Sequence, residues 1–526
     1  MSPVKLMNGG DLIALTLAQE GVELFVGIVG GQLLPLFDAV GRDPRLRLVV
    51  PRNEAAGAMM ADGYSRSSRR VSVNMSTVGA GIIYAAAGTG YAWGDHVPIV
   101  SISPQVQTWK MYPAQESLQG CYQGEMMEGI TRWNCIIYNW KRIPQLMARA
   151  VREALSGEMG PVHVDVPVDI FYEFHPVTEG RLRRLLPPPG STYFTGSYLP
   201  ERASLREVLS AMEKSERPVI VAGTCVLRQG GWDALARLAD RFQAPVFCTK
   251  GAVSAASGED PSYAGLMGHS ALPVTERALT EADLILALGT TLEETGELAE
   301  RVGGRGIALV QTSPEPEKLG VFREVKMGLA GDAISLCRVL EGGFAGESSA
   351  RERWTEFCRE EYLRSCQALA SDARGDRAGR AIMALGAAIS PADRLVLDGE
   401  RSFYWGSVLC PPGTCNSRFF SPGMEGIGYG LPMALGIKLA FPRGRVIALC
   451  DGEAFFQHMR ELETSRRENI PVVVAVVGEP YDWKSVADGF GVSGYKVTTE
   501  GELWAALKDH EAGAGTVVMD LTEFGS

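Results

Sequence analysis

Short, branched apolar runs alternate with longer stretches of helical periodicity along nearly the whole chain. Leu24–Val29, Leu46–Val50, Arg70–Met75, Ile99–Ser103 and Val162–Val166 have the length and composition of buried strands. Between them apolar residues return every three or four positions, which predicts helices at Gly10–Glu20, Leu33–Val40 and Ala55–Tyr64. The same alternation resumes at Val219–Ala222, Val246–Cys248, Leu284–Leu288 and Ile307–Val310. It returns once more at Val446–Leu449, Pro471–Val477 and Thr516–Leu521. Strands that alternate with crossover helices make parallel sheets. The predicted fold class is therefore α/β, with three doubly wound parallel-sheet domains at 1-175, 190-345 and 370-526. Arg181–Arg184 with Pro187-Pro188-Pro189-Gly190 marks the first linker, and a charged helical region, Ser348–Ala373, crosses to the last domain.

Composition narrows the function classes. The chain has 526 residues, 46% hydrophobic, with a formal net charge of −11 and ten cysteines. An acidic balance without an arginine-rich run argues against nucleic acid as a partner. No apolar run reaches the roughly 18 residues of a membrane span. The N-terminal stretch MSPVKLMNGGDLIALTLAQEG reads as an amphipathic helix with acidic residues, not a signal peptide. Scattered cysteines without a CxxC pair suit buried free thiols in a reducing cytoplasm. Cys410 and Cys415, in CPPGTC, form a bridge, a metal site or, most simply, an unpaired pair in a solvent loop.

Candidate chemistry gathers where strands end. Gly30-Gly31 and Gly79-Ala80-Gly81 follow strands and let a ligand approach the backbone closely. Glu54 opens a helix just after a strand, where a helix-start glutamate is also favoured by the helix dipole. Near the C-terminus, RVIALCDGEAFFQHMRELETSRRENIPVVVAVVGEPYDW reads as strand, helix (Phe455–Arg467) and strand. Asp451 and Glu479 then stand at neighbouring strand ends, where two carboxylates suit one hard cation.

This last stretch resembles the diphosphate-binding segment of thiamine-diphosphate enzymes of the acetolactate synthase-like and sulfoacetaldehyde acetyltransferase-like branch. Glu461-Leu462-Glu463-Thr464 and Asn469-Ile470-Pro471-Val472 match the family's E-L-x-T and N-L-P-V. Cys450 replaces the first glycine of its GDG, and Gly478-Glu479 stand where two asparagines belong. Further upstream, Tyr122-Gln123 with Gly129-Ile130-Thr131-Arg132 resembles the family's Phe-Gln and GITR. The run from Ser421 to Pro432 resembles the segment that shapes the cofactor. The resemblance covers all three domains as pyrimidine-binding, central and diphosphate-binding domains. It implies thiamine diphosphate and Mg2+ as cofactors, and it leaves FAD in the central domain open.

By resemblance, Glu54 activates the cofactor's aminopyrimidine and Gln123 is catalytic. Gly30, Gly31, Gly79, Gly81, Glu400, Arg401, Ser402, Glu425, Ile427 and Gly452 would bind the cofactor, Ile427 as the wedge between its rings. Asp451 and Glu479 would hold the metal. The implied activity is decarboxylation of a small 2-oxo acid with acyl or aldehyde transfer, in a homodimer or homotetramer. Each cleft would lie between the first domain of one copy and the last domain of another. The departures leave two other readings open. One is a cleft repurposed for different chemistry. The other is a non-catalytic subunit of a hetero-oligomer that donates Glu54 to an intact relative. A glutamate about 5 Å from a phosphate costs roughly 3 kcal/mol at an effective dielectric near 20. Glu400, Glu453 and Glu479 thus weigh against diphosphate unless a cation or Arg401 offsets them.

Overall fold

The computed structural model describes residues 4–188, 199–268, 271–293, 306–479, 481–511, 513 and 515–525. Pro189 and Gly190 of the first linker lie outside them. The N-terminal domain carries strands β1 (Val4–Met7), β2 (Leu24–Gly27), β3 (Arg47–Val49), β4 (Ser72–Met75), β5 (Ile99–Gln105), β6 (Trp133–Ile136), β7 (Val162–Pro167) and β8 (His175–Thr178). The central domain carries β9 (Pro218–Ala222), β10 (Val246–Cys248), β11 (Tyr263–Leu266), β12 (Leu284–Leu288), β13 (Ala308–Ser313) and β14 (Met327–Ala330). The C-terminal domain carries β15 (Arg394–Asp398), β16 (Arg418–Phe419), β17 (Val446–Asp451), β18 (Val473–Val477), β19 (Ser493–Lys496) and β20 (Val517–Asp520).

Each domain holds one six-stranded parallel sheet, ordered β3-β2-β4-β5-β7-β6, β11-β10-β9-β12-β13-β14 and β16-β15-β17-β18-β20-β19. The outer two domains thus share one topology: second, first, third, fourth, sixth, fifth. The central one has the 3-2-1-4-5-6 order of dinucleotide-binding sheets. In every sheet the order reverses beside the first strand, and the crevice at that reversal opens at the strands' carboxyl ends.

Buried central strands such as Val473–Val477 follow the sequence reading closely. The mixed edge strands Trp133–Ile136 and Met327–Ala330 carry no continuous apolar run, and periodicity misses them. The N-terminus is corrected: Val4–Met7 is a strand paired antiparallel with His175–Thr178, and the helix is Gly9–Gln19. The helix expected at Phe455–Arg467 is two, Gly452–His458 and Glu461–Arg467. Phe455 and Leu462 bury in one cluster, so the apolar pattern runs on across the break.

The N- and C-terminal domains share a core in which Val26 and Met60 join Met433 and Val474. Its seam is the crossing of the Glu54–Ser68 and Gly430–Ala440 helices. A Cβ on Gly63 would lie 2.2 Å from the Met433 carbonyl oxygen, and one on Gly436 would lie 1.9 Å from that of Met60. Only glycine permits this approach. Beside the seam, buried Arg66 pairs with Asp62 and Asp95 and donates to the Phe420 carbonyl at 3.0 Å. Arg228 of the central domain donates to the Asp95 carbonyl at 3.2 Å, which ties all three domains to one knot. Among the described residues no helix is long and apolar enough to cross a membrane. All ten cysteines are unpaired. Cys410 is buried, not in a solvent loop, and Cys415 is half-buried.

Candidate functional site

Both outer domains present a half-site at the reversal of strand order. In the N-terminal domain the crevice lies between β2 and β4, and the polypeptide after each strand lines it. Asn53 caps the following helix, accepting the Ala55 N–H at 3.0 Å, and so fixes Glu54 as its first residue. Glu54 is half-buried, and its carboxylate lies 3.4 Å from where a Cβ on Gly81 would sit. A Cβ there would also meet Thr77 at 2.7 Å, so Gly81 keeps this face open. Thr77 donates to the Gln32 carbonyl oxygen at 3.1 Å, and the Gln32 amide donates to Gln119 at 2.8 Å. A Cβ on Gly30 would touch Thr77 at 2.9 Å, and Gly31 is exposed at the rim. Gly30, Gly31, Glu54, Gly79 and Gly81 therefore do converge.

Gln123 stands elsewhere. It is fully buried behind the crevice, donating to the Pro104 carbonyl at 3.1 Å and to Asp165. Its own carbonyl accepts the Gly79 N–H at 3.3 Å. The side chain braces the left-handed Gly79 turn (φ +74°) and does not face the cleft. Gln32, Thr77 and Gln119 escaped the sequence reading, because polar loop residues leave no periodic trace.

In the C-terminal domain the crevice lies between β15 and β17. Asp398 ends β15 fully buried and accepts the Gly428 and Gly430 N–H groups at 3.0 and 2.6 Å. Burial pushes its carboxyl up to about 7. These bonds hold the turn that follows half-buried Ile427, whose carbonyl accepts the Tyr91 hydroxyl at 3.2 Å. Glu425 is exposed and turns to the central domain, where Lys250 donates to it at 3.3 Å.

The next helix, Glu400–Leu409, begins with its free N–H groups aimed at Asp451. Arg401 N–H reaches one carboxylate oxygen at 3.0 Å, while Ser402 N–H and hydroxyl reach the other at 2.9 and 2.5 Å. Gly399 (φ +118°) permits this, since a Cβ there would lie 2.4 Å from the Asp451 carboxyl carbon. Burial pushes the Asp451 carboxyl up, against the pull of these donors. Glu400 is exposed in the first turn.

The carboxylate of Asp451 occupies an anion cradle at a helix start. Asp451 and Glu479, the expected metal pair, stand at the ends of the neighbouring strands β17 and β18. Glu479 is exposed, and among the described residues no three His, Cys, Asp or Glu side chains group to hold a metal. The Arg401 side chain reaches the end of β18, with a guanidinium nitrogen 2.8 Å from where a Cβ on Gly478 would sit. Trp483 closes the floor, its ring 3.2 Å from the Cβ position of Gly452 and its indole N–H on the Glu479 carbonyl at 3.3 Å.

A third cleft, of about 770 Å3, lies where the central domain's order reverses, between β9 and β12. Thr224 and Thr290 line it with Lys250 and Lys318, and the 422–425 segment just ahead of Ile427 closes one side.

Sequence comparisons agree domain by domain. The description "Thiamine pyrophosphate enzyme, N-terminal TPP binding domain" matches residues 7–127, the corresponding central domain 205–340, and the C-terminal TPP binding domain 404–479. A probable acetolactate synthase large subunit of Methanocaldococcus jannaschii is 26% identical over 96% of this chain and 90% of its own length. A probable 2-ketoarginine decarboxylase of Pseudomonas aeruginosa is 29% identical over 90% of this chain and 82% of its own. A sulfoacetaldehyde acetyltransferase of Rhodobacter capsulatus is 26% identical over 91% and 82%. With three domains in family order, three matching descriptions and relatives aligned nearly end to end, the chain belongs to the thiamine pyrophosphate enzyme family.

Proposed function

We propose that this chain decarboxylates a small 2-oxo acid and passes the acyl or aldehyde unit to an acceptor, with thiamine diphosphate between the N-terminal domain of one copy and the C-terminal domain of another. The observation that carries the reading is Glu54, fixed by its helix cap at an open crevice with glycine on the facing wall. When bound, thiamine diphosphate supplies the electron sink that such a decarboxylation needs. Glu54 would hold or release a proton at its carboxylate toward the aminopyrimidine edge of the bound cofactor. The Gly30-Gly31 and Gly79–Gly81 turns would admit that ring against backbone, and Ile427 would stand beside it as the wedge. Arg401 and Ser402, whose N–H groups donate to Asp451 at the start of the Glu400–Leu409 helix, would flank the diphosphate.

The relatives' names support the substrate class, one for a 2-keto acid decarboxylase and one for acetolactate synthesis. Exposed apolar side chains follow the half-site segments in sequence, Val29, Ile83, Tyr84 and Tyr122 in the N-terminal domain and Phe456 and Tyr481 in the C-terminal one. A homodimer or tetramer that joins unlike half-sites would cover them. FAD, where present, would lie in the central cleft, and ten unpaired thiols suit the cytoplasm.

The test is carbon dioxide release from a panel of 2-oxo acids with added thiamine diphosphate. Glu54→Gln should keep cofactor affinity within about threefold and lower turnover by roughly a hundredfold or more. A folded, cofactor-loaded protein that decarboxylates no member of the panel would overturn the reading.

A further inference from the structure

We infer that Arg401 takes the place of the divalent cation in this chain's diphosphate half-site, so that diphosphate binding needs no metal. The inference rests on the thiamine diphosphate reading above, and three independent features carry it.

The first is that Asp451 is already committed. One of its oxygens accepts two hydrogen bonds from Ser402 and the other accepts the Arg401 N–H. Three of the carboxylate's roughly four lone-pair sites are thereby directed at donors rather than at a cation. The second is that Glu479, the other acid at the strand ends, is exposed, and among the described residues no third His, Cys, Asp or Glu side chain joins the two. The third is a cation from the chain itself. The Arg401 guanidinium reaches over the end of β18 onto Gly478 (φ +91°), where any Cβ would lie 2.8 Å from its nitrogen. Glycine at this position makes room for the arginine, in a conformation other residues rarely adopt.

A dication beside a guanidinium is repelled, whereas a diphosphate is attracted and gripped by the planar fork of donors. Arg401 stands in the first turn of the Glu400–Leu409 helix, whose dipole also favours an anion at that end, so charge and helix start act in one direction. Arg401 is a surface residue, and replacing it leaves the Asp451 bonds in place because its own bond there uses its backbone.

The experiment titrates the full-length oligomer, stripped with chelator, with thiamine diphosphate and separately with inorganic pyrophosphate. Each titration is run in chelator and in millimolar magnesium. Heat and the fluorescence of Trp483, seated against Gly452, are the readouts. For wild type, affinities for both probes in chelator should equal those in magnesium within about threefold. Arg401→Gln should weaken both roughly 30-fold, the worth of a charge-assisted contact, and magnesium should not restore them. Arg401→Lys should recover part of the loss, and the circular dichroism of both variants should match wild type. Binding that disappears in chelator and returns with magnesium would overturn the inference and leave the proposed function standing. Metal-free pyrophosphate binding lost in Arg401→Gln, without any thiamine diphosphate binding, would uphold the role of Arg401 and remove the cofactor reading. Failure of both probes in both buffers would overturn both.

Discussion

Glu461 sits at the intramolecular seam with both carboxylate oxygens 3.1 Å from the Arg52 N–H and one accepting the Thr464 hydroxyl at 2.6 Å. Burial pushes its carboxyl up from the usual 4.5 to about 7, against those donors. The native state therefore keeps a proton that the unfolded chain releases. This contribution to stability is full below about pH 4.5 and is lost as pH rises to about 7, at a cost of roughly 3 kcal/mol. Glu461→Gln, which keeps an acceptor for Arg52, should flatten that fall and be the more stable protein at pH 8 but not at pH 4.5. Urea unfolding at the two pH values measures it, and parallel curves for both proteins would refute the assignment. Arg66→Met should cost about 3–5 kcal/mol in the same assay, since it strands two buried carboxylates, Asp62 and Asp95. At this scale the sequence reading was uneven. Glu54 and the glycine turns were legible from where they fall after strands. Asp451 stands at its strand end as expected, but the helix start it accepts from, 50 positions earlier, is a partnership that no local pattern records.

Helices crossing at glycine set the geometry of the seam. A methyl group on Gly436 would overlap the Met60 carbonyl, so Gly436→Ala should destabilise by about 1–3 kcal/mol. Gly41 sits exposed in the Leu34–Arg42 helix with nothing within 4 Å of its Cβ position. Gly41→Ala should instead stabilise by about 0.4–1 kcal/mol. Thermal midpoints that move the same way for both would show that the seam tolerates widening. Element type was readable wherever a strand or helix is buried on both sides, as in β12 and β18. The break at Met459-Arg460 was not, because both pieces turn apolar residues to the same core. Gln123 misled for a related reason: a glutamine beside a glycine turn looks the same in sequence whether it faces the cleft or braces it from behind.

For the whole molecule, the exposed apolar side chains that follow the two half-site segments should be hidden in an oligomer that buries at least ~1,000 Å2. Tyr84→Glu and Phe456→Glu, one in each outer domain, should each convert the oligomer to monomer in light scattering while leaving far-ultraviolet dichroism intact. An unchanged mass for both would place the interface elsewhere. Domain count and class were open to sequence because each sheet repeats the same alternation. The identical strand order of the outer domains was not, since strand neighbours within a sheet depend on crossings that apolar periodicity does not encode.

The seam also carries a consequence for synthesis. Arg66 meets the Phe420 carbonyl 354 positions further along the chain. At about 5–20 residues per second, roughly 20–70 seconds pass between the ribosome's delivery of one and of the other. For that interval the Glu54–Ser68 helix stands on a finished sheet with its methionines and glycine notch uncovered, waiting for a partner not yet made. A ribosome that stalls or terminates within the central domain therefore releases a folded domain with an open apolar seam, a client for chaperones and a nucleus for aggregation.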